Sequence, residues 1–277
     1  MKTALVLSLC LIGQIALSQI SSGTLIVTRE INGKLIVAAD SYGAMSGGES
    51  PRNDQCKIAA FKHQFVFASS GAVEYSLIPG PIDGWKNSDE ARLAVEAGFS
   101  AAASNRGRID AIADAWGKRL AGHWAEVYAT YPNAVIALGK LHGPALTMGF
   151  FATVDNGRFY SRFVNILFDP ANGSIIAEQG ESLSQCVAKF CAFGFVKTFN
   201  ELRAGLTKKA ETSIWTPSPA VLSRIDRETL WVIRLVDLAI AYEIPGNIGT
   251  PIDVLELWAN GGIHWVARKN NCRENED

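Results

Sequence analysis

Two polar residues bracket the first recognisable element of this chain. Gly23-Thr24 opens a short apolar run, Asp40 closes a second one, and Asn32-Gly33 lies between them. Asn-Gly suits the positive φ angles of a tight turn, so residues 24–40 predict a β-hairpin with Thr at the start of its first strand and Asp at the end of its second. What this hairpin can do chemically depends on whether Thr24 becomes a free N-terminus. The other reactive side chains form no familiar constellation. His63, His123, His142 and His264 are scattered, and no Gly-x-Ser-x-Gly elbow accompanies them. There is no Cys-x-x-Cys or His-x-x-x-His spacing, so a zinc site is not expected. No P-loop or dinucleotide fingerprint occurs, and no cofactor is expected.

The first residues carry a different signal. Lys2 supplies a positive charge, residues 4–17 are nearly all apolar, and Ala16-Leu17-Ser18 is an A-x-A-like cleavage site. Residues 1–18 therefore read as a secretory signal peptide, and the mature protein as secreted or periplasmic. The apolar run is shorter than the roughly 20 residues a spanning helix needs. No membrane association is expected after its removal. Export would permit disulfides. With Cys10 lost, Cys56, Cys186, Cys191 and Cys272 allow three pairings, among which sequence does not choose. The mature part, residues 19–277, reads as one domain. Its 277-residue precursor is 48% apolar and 19% charged, with a net charge of −1, which argues against a nucleic-acid partner.

The elements follow in blocks. After the hairpin and a Gly/Ser/Pro-rich loop, residues 56–61 and 64–68 read as strands, with Lys57 in the first and Ser69-Ser70-Gly71-Ala72 breaking the second. Two helices are predicted next. One begins at Ser88 as N-cap, and the other spans residues 109–130, where Ile109, Ile112, Ala113, Trp116, Leu120, Trp124 and Val127 recur at helical steps. That pattern places Trp116 and Trp124 on a buried face, and Tyr131-Pro132-Asn133 ends the helix. Residues 134–140, 146–154, 159–167 and 174–177 read as strands, with a turn at Asp155-Asn156-Gly157. Residues 183–204 read as a helix, and Ser218-Pro219 opens another that runs to about Ile240. A hairpin of residues 252–258 and 263–269 closes the fold. Strand blocks alternating with helix pairs imply antiparallel sheets covered by helices.

This ordered set resembles a known family. Gly23-Thr24, residues 34–41 ending in Asp40-Ser41, Lys57-Ile58 ahead of a strand, and the small-residue turn Ala68-Ser69-Ser70-Gly71 are similar to the N-terminal part of proteasome β-type subunits, and more closely to secreted bacterial proteins related to them. Residues 249–254 with the final hairpin resemble that family's Gly-rich C-terminal strand. The resemblance implies an α+β fold, the four-layer α-β-β-α sandwich of the proteasome-subunit-like N-terminal-nucleophile (Ntn) hydrolases. It also implies a threonine-type peptidase or amidohydrolase acting on a peptide or amide substrate. Carried over residue by residue, Thr24 is the nucleophile, Asp40 the strand-end carboxylate and Lys57 its charged partner. An N-terminal Thr combines a hydroxyl with an α-amine that titrates near pH ~8, so one residue is both nucleophile and general base. Backbone N–H groups of a Gly-rich turn would stabilise the oxyanion. Because the family assembles in rings, a homo-oligomer is among the implied partners.

Exposure of Thr24 requires processing. Cleavage after Ser18 leaves a short leader, so activation needs scission at Gly23-Thr24; direct cleavage after Gly23 is the alternative. Ser21 and Ser22 are competing nucleophile positions if the register shifts. The chain also departs from the family pattern. Residues 244–249 lack the supporting Asp and Ser expected there, and Gly180-Glu181-Ser182 only weakly matches the family's backing serine. Those departures define the alternative, a catalytically inactive proteasome-like protein with an assembly or binding role. A hydrolase using another site on the same fold ranks last.

Overall fold

In the computed structural model, the described residues are 20–22, 24–42, 44–45, 55–75, 82–180, 190–194, 205, 208, 224–242, 249–269 and 272. Residues 1–18, expected to be a signal peptide, and Gly23, Cys186, Glu181-Ser182 and Ser218-Pro219 lie outside them. The fold is a mixed α/β arrangement with antiparallel sheets and, among the described residues, four helices.

The predicted hairpin forms. Strands β2 (Leu25–Ile31) and β3 (Lys34–Asp40) pair antiparallel, and Asn32 (φ 51°) and Gly33 (φ 72°) take the left-handed conformations their types favour. β3 is fully buried, which explains why it reads as an unbroken apolar run. Four more strands extend the chain: β1 (Ile20–Ser22), β4 (Ala44–Met45), β5 (Ile58–Phe61) and β6 (Phe65–Gly71). β6 continues through Ser69, Ser70 and Gly71, which the sequence predicts as a break. Small side chains do not end a strand whose backbone still pairs, here with β9 (Ala145–Asp155). Short strands β7 (Glu74–Tyr75) and β8 (Trp85–Lys86) follow.

Helix α1 (Asn87–Gly98) starts one residue before Ser88, after Lys86, with no side-chain cap. Helix α2 (Asn105–Thr130) begins earlier than predicted because Ser104 is its N-cap, with Oγ accepting from Gly107 N at 3.2 Å. Residues 134–140, expected as a strand, belong to helix α3 (Pro132–His142). α2 ends at Thr130, just ahead of Tyr131-Pro132-Asn133 as expected, and Pro132 also opens α3, sitting in its first turn, where its missing N–H costs no hydrogen bond. β9, β10 (Arg158–Asp169) and β11 (Ser174–Gly180) then form a meander, with the expected turn at Asn156 and Gly157.

The largest correction lies in residues 183–204. Their described part is a strand, β12 (Phe190–Gly194), paired antiparallel with β2. The alternation is readable afterwards. Cys191 and Phe193 point one way, Ala192 the other, and Gly194 at φ 137° closes the strand. The last helix, α4 (Arg227–Tyr242), starts after a turn at Arg224 and Ile225. Asp226 caps it, its carboxylate accepting from Glu228 N at 2.9 Å and Thr229 N at 3.2 Å. β13 (Ile252–Trp258) and β14 (Ile263–Ala267) form the final hairpin.

Two five-stranded sheets result, in orders β12-β2-β3-β13-β14 and β11-β10-β9-β6-β5, with a smaller sheet β4-β1-β7-β8. Three buried clusters follow from which face each strand presents. Ile26, Leu35, Val37 and Leu255 of the first sheet pack with Val66, Phe150, Ala152 and Phe163 of the second. Phe193 joins them, its ring 5.5 Å from Phe150 and 4.8 Å from Phe163. The first sheet's opposite residues, Leu25, Val27, Ile36 and Ala38, pack against Val232, Leu235 and Val236 of α4. Phe67, Phe151 and Val164 of the second sheet pack against α1, α2 and α3 around Trp116 and Trp124. Both tryptophans are buried, as their helical spacing implies. The Trp116 ring lies over Gly149, where a Cβ would come within 2.6 Å of it.

Candidate functional site

The hairpin brings the two ends of residues 24–40 together. Thr24 is completely buried at the entrance to β2, and Asp40 is completely buried at the exit of β3. Asp40 Oδ1 accepts the N–H of Leu25 at 2.8 Å, so the carboxylate is fixed one residue from Thr24. Its other oxygen accepts from Tyr42 N at 3.1 Å and from Gly249 N at 3.1 Å. The approach at Gly249 is close. A Cβ there would lie 3.2 Å from the Tyr42 ring. Ser41 N donates in return to Gly249 O at 3.0 Å, so β3 is locked to the segment that leads into β13.

Lys57 reaches the same carboxylate from the other sheet. Its Nζ lies 3.2 Å from Asp40 Oδ1 and 3.3 Å from Oδ2, and it also donates to the Tyr42 carbonyl. Both charged side chains are inaccessible to solvent. Of the sequence-predicted residues, Asp40 and Lys57 are in direct contact, and Asp40 also holds the backbone one residue beyond Thr24. Every group that faces Asp40 in these contacts is a donor. A neutral carboxylic acid would need an acceptor for its proton, so the arrangement holds Asp40 as a carboxylate. Burial pushes its pKa upward, against the opposing pull of Lys57 and the N–H groups of Leu25 and Gly249. Burial is also the main influence on Lys57, bringing it down to about 8 despite the attraction of Asp40. A lysine poised there can exchange its proton near neutral pH, which an ordinary surface lysine cannot.

The chain does not begin at Thr24 in this structure. β1 lies immediately upstream and is paired on both sides. Ser21 and Ser22 align with Met45 and Ala44 of β4, and Ile20 and Ser21 align with Tyr75 and Glu74 of β7. On its other side, the Thr24 carbonyl is pressed against Gly194, where a Cβ would lie 1.8 Å from the carbonyl oxygen. Only a residue without a side chain fits, at a φ that favours glycine in any case.

Sequence reasoning missed several neighbours. Asp253 and Lys269 form a buried ion pair that also engages the hydroxyl of Ser41. The signal for Asp253 was present: a carboxylate inside an apolar strand needs a partner. Lys269 gave no such signal, because its place depends on the register of the final hairpin. Cys56, adjacent to Lys57, is bonded to Cys272 with a Cα–Cα separation of 5.4 Å. This decides one of the open pairings, and Cys191 is a half-cystine as well. Among the histidines, His63 lies in the turn after β5, His123 stacks on Trp85 at 4.8 Å, and His264 approaches Glu256 at 3.7 Å. None of these contacts is to Thr24, Asp40 or Lys57. No group of three or more metal-ligating side chains occurs among the described residues, and none of their helices is long and apolar enough to cross a membrane.

Over nearly its whole length the chain is similar to a solved structure of Anbu. That structure is of a mutant Anbu from Hyphomicrobium sp. strain MC1, 15% identical, with 91% of this chain and 92% of that chain covered at a TM-score of 0.45. No protein-family model and no curated protein matches the sequence.

Proposed function

We propose that this protein is an exported Ntn hydrolase with the α-β-β-α sandwich of the proteasome-subunit-like group, which cuts peptide or amide bonds with Thr24 once the Gly23-Thr24 bond has been broken. The observation that carries this reading is Asp40, which holds the backbone beside Thr24 and the ammonium of Lys57 at once. In the processed chain the α-amine of Thr24 accepts the proton of its own hydroxyl while Oγ1 attacks the substrate carbonyl. Lys57 keeps positive charge nearby, which favours the neutral, basic amine. The amine then returns the proton to the leaving nitrogen, and water hydrolyses the acyl ester. Along β6, N–H direction alternates. Ser69 N points toward β5, bonding Lys57 O at 3.0 Å, and Ala72 N points toward β9, bonding Leu146 O at 3.0 Å. Gly71 N thus points to the Lys57 side, a suitable donor for the oxyanion.

The leader strand supports an extended peptide as substrate. β1 fills a slot between β4 and β7, and cleavage at Thr24 would leave that slot open to another strand of backbone. Until then, the buried Thr24 amide nitrogen cannot serve as a base.

N-terminal sequencing and intact-mass measurement of the exported protein test the reading. The expected mature chain begins at Thr24, and Thr24→Ala abolishes both this processing and amidase activity. A mature chain that begins at Gln19 with no further trimming would sink the mechanism and select the alternative, a catalytically inactive protein with an assembly or binding role.

A further inference from the structure

Beyond Asp40 and Lys57, a second buried ion pair abuts the site, and its placement is unusual. Lys269 follows the last strand, and its side chain is only 7% exposed; that of Asp253 is 1% exposed. Lys269 N donates to Asp253 Oδ1 at 3.0 Å, and its Nζ bridges Asp253 Oδ2 to Ser41 Oγ. Ser41 is covalently next to Asp40. Beyond Lys269 the chain turns, with Cys272 N donating to Lys269 O at 3.2 Å, and ends this excursion in the disulfide to Cys56. Cys56 is covalently next to Lys57. A closed ring results: Lys57 to Asp40 by ion pair, Asp40 to Ser41 by peptide bond, and Ser41 to Lys269 by hydrogen bond. It continues from Lys269 to Cys272 along the chain, to Cys56 by disulfide, and back to Lys57.

We infer that Lys269, seated by the Cys56–Cys272 disulfide, is a positioning residue for the Asp40–Lys57 pair, and that reduction of this disulfide by an external dithiol releases Lys269 from the site. The step balances simply. The dithiol gives up two electrons and two protons and becomes a disulfide, while Cys56 and Cys272 each gain one electron and one proton. The consequence for Lys57 is electrostatic. Its ammonium faces Asp40 from β3, Asp253 from β13 and Lys269 from the segment after β14. Asp40 and Asp253 favour the charged form, and Lys269 opposes it. A buried ion pair such as Lys269–Asp253 is a costly way to gain stability, since apolar residues of similar size often do as well or better. Its worth here lies in setting the charge of Lys57, and in this respect the inference rests on the reading of Lys57 as the charged partner of Thr24.

The test follows the Lys57 ammonium in the full chain by NMR titration of lysine labelled with carbon-13 at Cε, with the resonance assigned by its loss in Lys57→Met. The wild-type midpoint is expected at about 8. In Lys269→Met it should move upward by about half a pH unit, because a repelling cation is gone. The Cys56→Ser/Cys272→Ser double variant, without reductant, should move it in the same direction, and dithiothreitol should do so in the wild type. A purely structural Lys269 would lower the melting temperature and leave the midpoint in place. An unchanged midpoint in Lys269→Met, or a wild-type midpoint in the cysteine double variant, overturns the inference. Where Lys269→Met fails to fold, Lys269→Met/Asp253→Asn removes both charges and must still raise the midpoint by a smaller amount. The titration needs no turnover. A protein without amidase activity whose Lys57 midpoint moves would refute the proposed function alone, whereas activity with an immobile midpoint would refute this inference alone.

Discussion

At the scale of single residues, Asp40 does the most. It accepts from Leu25, Tyr42, Gly249 and Lys57, and so joins β2, β3, the segment before β13 and the start of β5 through one carboxylate. Asp40→Asn would turn an amide N–H₂ toward groups that are all donors and deprive the buried Lys57 ammonium of its hydrogen-bonded counter-charge. The expected loss is about 3–5 kcal/mol of stability in denaturant unfolding, with release of Thr24 abolished. Lys57 itself makes stability depend on pH. Its folded value of about 8 lies below the ordinary 10.5. Between those two values the unfolded chain holds a proton that the folded chain has given up, so the unfolding free energy rises with pH across that window. Below about 8 both states hold the proton, and the buried charge weighs against the fold in full. Urea unfolding from pH 7.5 to 10 should show this upward slope in the wild type and not in Lys57→Met. The strand ends at Thr24 and Asp40 were legible from local pattern, because the Asn32-Gly33 turn defines the hairpin between them, whereas grouping Lys57 with them came only through the family resemblance.

At the scale of elements, β12 is the piece that sequence reasoning read wrongly and that the site needs. It flanks β2 on the side away from β3, and Gly194 faces Leu25 across the ladder. With no room for a Cβ beside the Thr24 carbonyl, Gly194→Ala must push β2 or β12 aside. The variant is expected to lose processing at Thr24 while keeping a cooperative thermal transition, which mass spectrometry and calorimetry would read together. The segment looked helical because Phe190 and Phe193 are three apart, a helical step. The two-residue alternation of Cys191 and Phe193 competes with that step, and only a partner strand decides between them. The reverse error occurred at residues 134–140, whose apolar residues suit either state. The helix forms there because Pro132 starts it and Val135 and Leu138 meet the core at a helical interval. Elements with strong local signals, such as the Asn32-Gly33 hairpin and the Trp116–Trp124 helix face, needed no such arbitration.

At the scale of the whole molecule, charged links tie the elements across long stretches of sequence. Lys34, at the start of β3, is buried. Its Nζ binds Asp226 and Thr229 at the start of α4 and Glu256 in β13. Burial tends to raise the Asp226 carboxyl, but Lys34 and the N–H groups of Thr229 and Glu228 hold it below its ordinary 3.8. Its stabilising share is therefore complete above that value and disappears as pH falls through the lower, folded one. Because the Asp226 side chain is 49% exposed, this share is small. Melting temperatures between pH 2 and 5 should fall less steeply in Asp226→Asn than in the wild type. None of these links could be read from the sequence, since each joins residues whose proximity exists only after the sheets have formed.

The position of β13 has a consequence for the order in which the protein comes into being. Synthesis runs from the N-terminus, and the hairpin that holds Thr24 and Asp40 is among the first segments to emerge. Yet β3 has no neighbour on its far edge until β13 arrives, and Asp40 has no Gly249 to grip until then. The covalent bond beside Lys57 waits longer still, for a cysteine 216 positions downstream. A ribosome halted midway would release a chain that contains every proposed catalytic residue and no assembled centre. Completion of translation thus precedes assembly of the centre: under the proposed function, self-cleavage at Gly23-Thr24 is expected in molecules whose last strands have already reached the first.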